Sequence, residues 1–109
     1  MFRLRFSSNS DFEKKFQGYI FVFREQLADL IKLDFFDFKD NVVNYSGTYK
    51  GYDIKGDINS ERIHIYISDG NKKRWTDISI RANEKSFKPV EALKSILSYE
   101  LDNLIEERF

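Results

Sequence analysis

The residues with the greatest capacity for chemistry lie at alternate positions of one short segment, Arg62 to Tyr66. His64 is the only histidine in the chain, and an imidazole can gain or lose a proton near neutral pH. Arg62 and Arg81 carry fixed positive charges that could stabilise a phosphoryl transition state. With Tyr66, these residues form the kind of set that small ribonucleases use for acid–base catalysis.

The same side chains also suit the solvent-exposed face of a β-sheet on which no reaction takes place. In such a face, neighbours on adjacent strands contribute modest pair energies and keep the surface soluble. A ribonuclease usually pairs its histidine with a glutamate, and this face offers aspartates instead. We therefore favour a non-enzymatic polar face and keep the ribonuclease as the alternative. The expected neighbours are Lys55 with His64, Asp57 with Arg62, and Tyr66 with Asp77.

Metal and nucleotide chemistry find less support in the sequence. Asp34, Asp37 and Asp40 recur every three residues, and hard cations prefer carboxylate oxygens. However, phenylalanines interrupt this run, and the glycine of a calcium-binding loop is missing. The central glycines lack the Gly-Lys-Ser/Thr ending of a phosphate-binding loop. No cysteine is present, which excludes thiolate zinc sites, disulfides and cysteine catalysis. We predict no metal and no cofactor.

The bulk composition indicates a single soluble domain spanning residues 1–109. Apolar residues make up 41% of the chain and aromatic residues 17%, which is enough for one hydrophobic core. Lys plus Arg and Asp plus Glu number 18 each, so no overall charge attracts nucleic acid or anionic lipid. The N-terminus lacks the form of a signal peptide, and no apolar run is long enough to span a membrane. We predict a cytoplasmic protein without a membrane partner.

Periodicity predicts a strand followed by a helix at the N-terminus, and a second helix at the C-terminus. Residues Met1 to Ser7 alternate between apolar and basic side chains, which is typical of a half-buried strand. The Ser10-x-x-Glu13 spacing has the form of a capping box, so we expect a helix from about Asp11 to Lys32. Pro89 at a first helical turn predicts the second helix.

Between the helices, β-forming residues broken by turn signals predict a meander of short strands. We expect residues 33–40 to form an irregular connector, and a further strand near Val43 to Tyr49. A two-residue loop at Asn59-Ser60 would place Ile58 opposite Glu61 and Ile54 opposite Ile65. The predicted fold is therefore α+β, in the order β-α-β-β-β-α with one extra strand as an option. Both amphipathic helices pack on one face of the small antiparallel sheet.

Two helices on one face leave the other face of the sheet open to a partner. Exposed aromatic residues among charged ones are typical of protein interfaces. We therefore predict a small inhibitor that binds another protein, such as an immunity protein that neutralises a toxin domain or a phage-encoded inhibitor of a defence enzyme. The predicted partner-binding residues are Trp75, Tyr66, His64, Arg62, Arg81 and Phe21.

Two further alternatives remain open besides the ribonuclease. Aromatic and basic residues are mixed between Tyr45 and Trp75, as in surfaces that stack nucleic-acid bases, and the densest basic patch is Lys72 to Trp75. The aspartates expected on the same face and the zero net charge argue against this. A homo-oligomer that buries its exposed aromatic residues against a second copy is the other alternative.

Overall fold

The computed structural model describes the backbone of residues 2–106 and the side chains of residues 11–106. The fold is α+β, as predicted, with two helices, a five-stranded antiparallel sheet and a small two-stranded sheet. The helices are α1 (Phe2–Leu30) and α2 (Val90–Glu106). The strands are β1 (Lys32–Lys39), β2 (Val42–Tyr49), β3 (Tyr52–Ile58), β4 (Arg62–Ser68), β5 (Lys73–Ser79), β6 (Arg81–Asn83) and β7 (Ser86–Phe87).

The large sheet is a meander, because each strand from β1 to β5 pairs with its neighbour in sequence. Two of its turns are tight. Asp40 and Asn41 have φ angles of 54° and 62°, and Lys50 and Gly51 have φ angles of 52° and 88°. Positive φ at both central residues is what a two-residue hairpin turn of the type I′ class requires, and its twist matches the twist of paired strands.

Both helices cover one face of the sheet, and the hydrophobic core lies between the helices and this face. The apolar residues of this core recur in the sequence at every second position along the strands and at every third or fourth position along the helices. Helix α1 contributes Phe16, Ile20, Phe23 and Leu27, and α2 contributes Leu93, Leu97, Leu101 and Leu104. The strands contribute Val43, Tyr45, Tyr49, Ile54, Ile58, Ile63, Ile65, Ile67 and Ile78.

The predicted strand pairing is wrong by two residues, although the faces are right. Ile58 lies opposite Ile63 instead of Glu61, and Ile54 lies opposite Ile67 instead of Ile65. The loop is longer than predicted because the Asn59 side chain organises it, accepting hydrogen bonds from the backbone N–H groups of residues 61 and 62. A shift of two residues keeps every side chain on its face, whereas a shift of one would not.

The predicted N-terminal strand is also wrong, because α1 begins at Phe2. Met1 lies outside the described residues. An apolar–polar alternation of only a few residues does not decide between strand and helix, since Phe2 and Phe6 are also four residues apart, which is a helical spacing. Ser10 therefore lies inside the helix and does not cap its start. The helix ends at Leu30, and Lys32 begins the sheet.

The predicted connector over residues 33–40 is instead β1, an edge strand of the sheet. A bulge between Leu33 and Phe35 adds one residue to the strand and interrupts its alternation. Because of this bulge, the segment lacks the regular alternation of apolar and polar residues that predicts a strand. Beyond the bulge, Phe36 lies opposite Tyr45 on the covered face and Phe35 lies opposite Ser46 on the open face. The extra strand expected near Val43 to Tyr49 is confirmed as β2.

Candidate functional site

The open face of the sheet carries a transverse line of residues in which three are exposed aromatic residues. The pairing of the five strands places Phe35, Ser46, Lys55, Tyr66 and Trp75 side by side, one from each strand. We call this line the aromatic row. Phe35 is 52% exposed, Tyr66 44% and Trp75 63%. Adjacent strands are about 4.8 Å apart, so the row extends over roughly 19 Å.

A second line, which we call the acidic row, lies beside the aromatic row. Its members are Asp37, Asn44, Asp57, His64 and Asp77, again one from each strand. His64 therefore has an aspartate directly opposite it on each neighbouring strand. Because each strand contributes to both rows, the separation between the rows is fixed by the sheet backbone.

Asp77 binds two basic side chains within the acidic row. Its carboxylate contacts Nδ1 of His64, and its Oδ2 lies 3.7 Å from Nη1 of Arg62. These groups are partly exposed, with 32% of the His64 side chain and 48% of the Arg62 side chain open to solvent. Exposed pairs of this kind contribute little to stability but fix the orientation of the imidazole. A carboxylate that orients a histidine is also found in general acid–base sites.

The position of His64 is supported from the covered face. The Tyr45 hydroxyl donates a hydrogen bond of 2.7 Å to the backbone carbonyl of His64. Gly56 lies between them, and a Cβ atom there would be 1.9 Å from the same carbonyl oxygen. Burial raises the pKa of the Tyr45 hydroxyl well above its usual value, with a smaller contribution from Asp57. The hydroxyl therefore remains protonated and able to donate.

A third line borders the aromatic row on its other side. It contains Lys32, Thr48, Asp53, Ser68 and Lys73 and ends in a lysine at each edge of the sheet. A groove of about 520 Å³ lies between this line and the aromatic row. Both carboxylate and ammonium groups line it, together with the ring of Tyr66. The open face thus presents aromatic rings between two charged borders.

Four of the six predicted partner-binding residues come together on this face. Arg62, His64 and Tyr66 project from β4, and Trp75 projects from β5. Tyr66 and Trp75 are directly opposite each other, so they form one aromatic patch. The predicted neighbours within the face change with the register, because His64 lies opposite Asp57 and Asp77, and Tyr66 lies opposite Lys55 and Trp75.

Arg81 does not belong to this patch. Its Nε donates to the backbone carbonyl of Ser60 at 2.8 Å, and its Nη1 donates to that of Glu84 at 2.6 Å. The guanidinium also lies 4.6 Å from the ring centroid of Phe12 on α1. Arg81 therefore joins the loop after β3, the β6–β7 hairpin and α1. It also lines a groove with Arg62 and Asp77, but His64 is not among the residues that line this groove.

Phe21 lies on α1 and is not part of the open face; it lines a small groove with Phe38 and the turn between β1 and β2. It is 71% exposed, and Val22 beside it is 52% exposed. These two residues are a separate surface feature. Phe35, Asp37 and Lys55 are among the members of the open face that the prediction did not use as partner-binding residues. For Phe35 and Asp37 the reason is the bulge in β1, since a strand prediction there would have placed both on the open side.

Comparisons with protein families, with curated proteins and with solved structures gave no match to this chain. Within residues 2–106, no helix is long and apolar enough to cross a membrane. Among the described side chains, no three His, Cys, Asp or Glu residues cluster as a metal site would require. Asp34, Asp37 and Asp40 are distributed along β1 and its turn, with Asp37 on the open face.

Proposed function

We propose that this protein binds another protein through the open face of its sheet and blocks that partner's action. Immunity proteins that neutralise a toxin domain and phage-encoded inhibitors of defence enzymes work in this manner. We place the encounter in the cytoplasm, in keeping with a chain that has no cysteine. The observation that carries the proposal is the aromatic row, which holds three exposed rings in line across the sheet.

The aromatic row has the anatomy of an interface centre. Tyr and Trp are enriched among the residues that dominate binding energy, because they bury a large area with few rotatable bonds. Tyr66 and Trp75 are directly opposite each other on paired strands, so their backbone positions are fixed before a partner arrives. A rigid sheet that presents rings loses little conformational entropy on binding.

The charged borders favour a protein partner over a nucleic acid. A stacking surface for nucleic acid needs cations to neutralise the phosphates. Here Asp37, Asp57 and Asp77 lie in the row immediately beside the aromatic row. These carboxylates would repel a phosphate backbone that followed the rings. Mixed charges around an apolar centre instead fix the orientation of a protein partner.

Substitution of Trp75 by alanine tests this proposal. Trp75 is 63% exposed on an edge strand, so we expect the fold to be unchanged. Affinity for the partner should fall by about 2 kcal/mol or more, the usual loss for a central aromatic anchor. The tagged protein and the variant are used to capture partners from the native lysate, with and without nuclease treatment, and the captured proteins and nucleic acids are quantified.

Tyr99→Ala is the matched control, because Tyr99 is similarly exposed, at 65%, but lies on α2. The proposal requires a stoichiometric protein that survives nuclease, persists with the Tyr99 variant and is lost with the Trp75 variant. Equal recovery with all three baits would exclude the open face as the binding surface. Recovery of nucleic acid alone would instead favour the alternative in which the open face stacks nucleic-acid bases.

The ribonuclease alternative retains one specific observation, the contact of His64 with Asp77 beside Arg62. Arg81 lines a groove with Arg62 and Asp77, but its guanidinium already donates hydrogen bonds to two backbone carbonyls. His64→Ala separates the two functions. In an enzyme this variant abolishes RNA cleavage, whereas a binding protein shows no cleavage before or after the substitution. Cleavage of a mixed-sequence RNA substrate by the purified wild-type protein would overturn our proposal.

A further inference from the structure

The outer side of α1 carries an apolar centre that is independent of the open sheet face. Phe21 and Val22 are 71% and 52% exposed, and they are adjacent in sequence. At about 100° per residue they flank the line directly opposite the buried side of the helix. Gly18 lies on this line, and a Cβ atom added to it would meet nothing within 4 Å. The helix backbone is therefore open to close approach at this point.

Charges of opposite sign flank the apolar centre of this surface, and Asp11, which is also exposed, lies about one turn before the basic residue. Lys14 lies one turn before Gly18, whereas Glu25 and Asp29 follow Val22 by one and two turns. All three side chains are exposed. Within the described side chains, none of the three forms an ion pair with another residue. We call the set Lys14, Gly18, Phe21, Val22, Glu25 and Asp29 the outer stripe.

We infer that the outer stripe is a self-complementary interface, and that its occupant is the outer stripe of a second copy of this chain in antiparallel orientation. A twofold axis near Phe21 and Val22 would place Lys14 of each copy against the acidic end, Glu25 and Asp29, of the other. Such an interface uses the same residues on both copies, as twofold dimers do. The apolar residues meet at the centre, where Gly18 leaves room for a side chain from the partner copy.

A parallel arrangement does not fit the same residues. It would bring Lys14 beside Lys14 and the two acidic ends together, so every charged contact would be repulsive. Charge complementarity therefore selects both the second copy and its direction. This interface leaves the open sheet face free, so the inference does not depend on the proposed function and each can fail alone.

Charge reversal tests the inference with the full-length protein alone. Lys14→Glu gives an outer stripe with acidic groups at both ends, and Glu25→Lys with Asp29→Lys gives one with basic groups at both ends. Sedimentation velocity should show the wild type as a concentration-dependent dimer. Each variant alone should dissociate more readily, with a dimer dissociation constant raised about tenfold or more, as expected when two attractive contacts become two repulsive ones.

Mixing the two variants provides the decisive measurement. In the mixed dimer every acidic end again meets a basic group, so association should return to near the wild-type level. Matched controls carry the same charge changes outside the stripe, Lys85→Glu mixed with Glu61→Lys/Glu84→Lys. These controls should dimerise like the wild type both alone and mixed. Circular dichroism spectra of all variants should match, because every substituted residue is exposed.

Three outcomes would overturn the inference. The first is a wild-type protein that remains monomeric at millimolar concentration. The second is dimerisation that neither single reversal weakens, which would place the interface elsewhere, for example on the open sheet face. The third is weakened dimerisation of each control variant alone with recovery on mixing, as for the stripe variants, which would reduce the effect to net charge.

Discussion

The two faces of the sheet are built from the same five strands, but the helices bury one face and the other is open to solvent. In β4, Ile63, Ile65 and Ile67 are almost completely buried against the helices. The alternate residues Arg62, His64 and Tyr66 face outward with partial or full exposure. Each buried side chain stabilises the fold by about 1.5–3 kcal/mol, whereas pairs on the open face contribute about 0.2–1 kcal/mol. The stabilisation of the fold is thus concentrated on the covered face of the sheet.

The largest effect should come from adding a Cβ atom at Gly56, which lies opposite Tyr45 and Ile65 on the covered face. In Gly56→Ala, the new Cβ atom would be 1.9 Å from the His64 carbonyl oxygen and 2.8 Å from the Tyr45 hydroxyl. Strand β3 or β4 must then shift, and we expect a loss of about 3 kcal/mol or more in the free energy of unfolding. Urea denaturation monitored by circular dichroism measures it.

Gly18→Ala is the control for Gly56→Ala at protein concentrations where the chain is monomeric, because within one chain its Cβ atom would meet nothing within 4 Å. Removing a glycine from a helix interior should stabilise the protein by about 0.5–1 kcal/mol. Equal stability losses in the two variants would contradict the close contact between strands at Gly56.

Two adjacent residues of β4 give the most direct test of the difference between the faces. Ile65→Ala opens a cavity in a core where Ile65 is 1% exposed, so we expect a loss of about 2–4 kcal/mol in unfolding free energy. Tyr66→Ala, one residue along and facing outward, should change stability by only about 0.5 kcal/mol. Its effect should appear in partner affinity instead. Similar losses of stability in both variants would show that the open face also carries folding energy.

The smallest effect concerns a pH-dependent contact at the edge of the covered face. The Lys50 ammonium and the Tyr49 hydroxyl donate to Oδ1 of Asp102 at 2.9 and 2.8 Å. These hydrogen bonds, Lys50 first, hold the pKa of Asp102 below its usual value. A carboxylate with a lowered pKa in the folded state stabilises the protein above its unfolded pKa, about 3.9, and this stability is lost as the pH falls through the folded value.

Asp102→Asn should therefore be slightly less stable than the wild type at pH 7. The gap should close as the pH falls below about 4, because the wild-type carboxylate then becomes neutral as well. Thermal unfolding of both proteins across this pH range measures the gap. A gap that stays constant with pH would mean that the Asp102 charge does not contribute. The carboxylate is partly exposed, so the effect should be smaller than that of any core substitution.

The sequence alone predicted those parts of the fold in which apolar residues recur at regular spacing. The apolar positions of α1 and α2 and the faces of β3, β4 and β5 followed from side-chain spacing alone, because burial enforces it. The pairing register of β3 and β4 depended on the loop that begins at Asn59. The Asn59 side chain accepts hydrogen bonds within this loop that the predicted two-residue turn does not contain. Strand β1 was missed because one bulge breaks its alternation.

The candidate site was predictable only where its residues share a regular strand. Arg62, His64 and Tyr66 follow from the alternation of β4, and Trp75 follows from its hairpin partner. The aromatic row as a whole did not, since Phe35 enters it through the irregular β1. The contacts of Arg81 were not predicted, because its side chain donates to backbone carbonyls at Ser60 and Glu84, which no sequence spacing reveals.

The meander has a consequence for how fast this chain acquires its structure. Every pairing in the large sheet joins consecutive strands across a short turn, so the sheet can assemble hairpin by hairpin with small loops to close. Rapid folding is typical of topologies dominated by such local pairing. The docking of α2 against α1 is different, because it joins segments separated by the entire sheet. We expect the hairpins to be formed in the rate-limiting transition state and the contact between the helices to form after it.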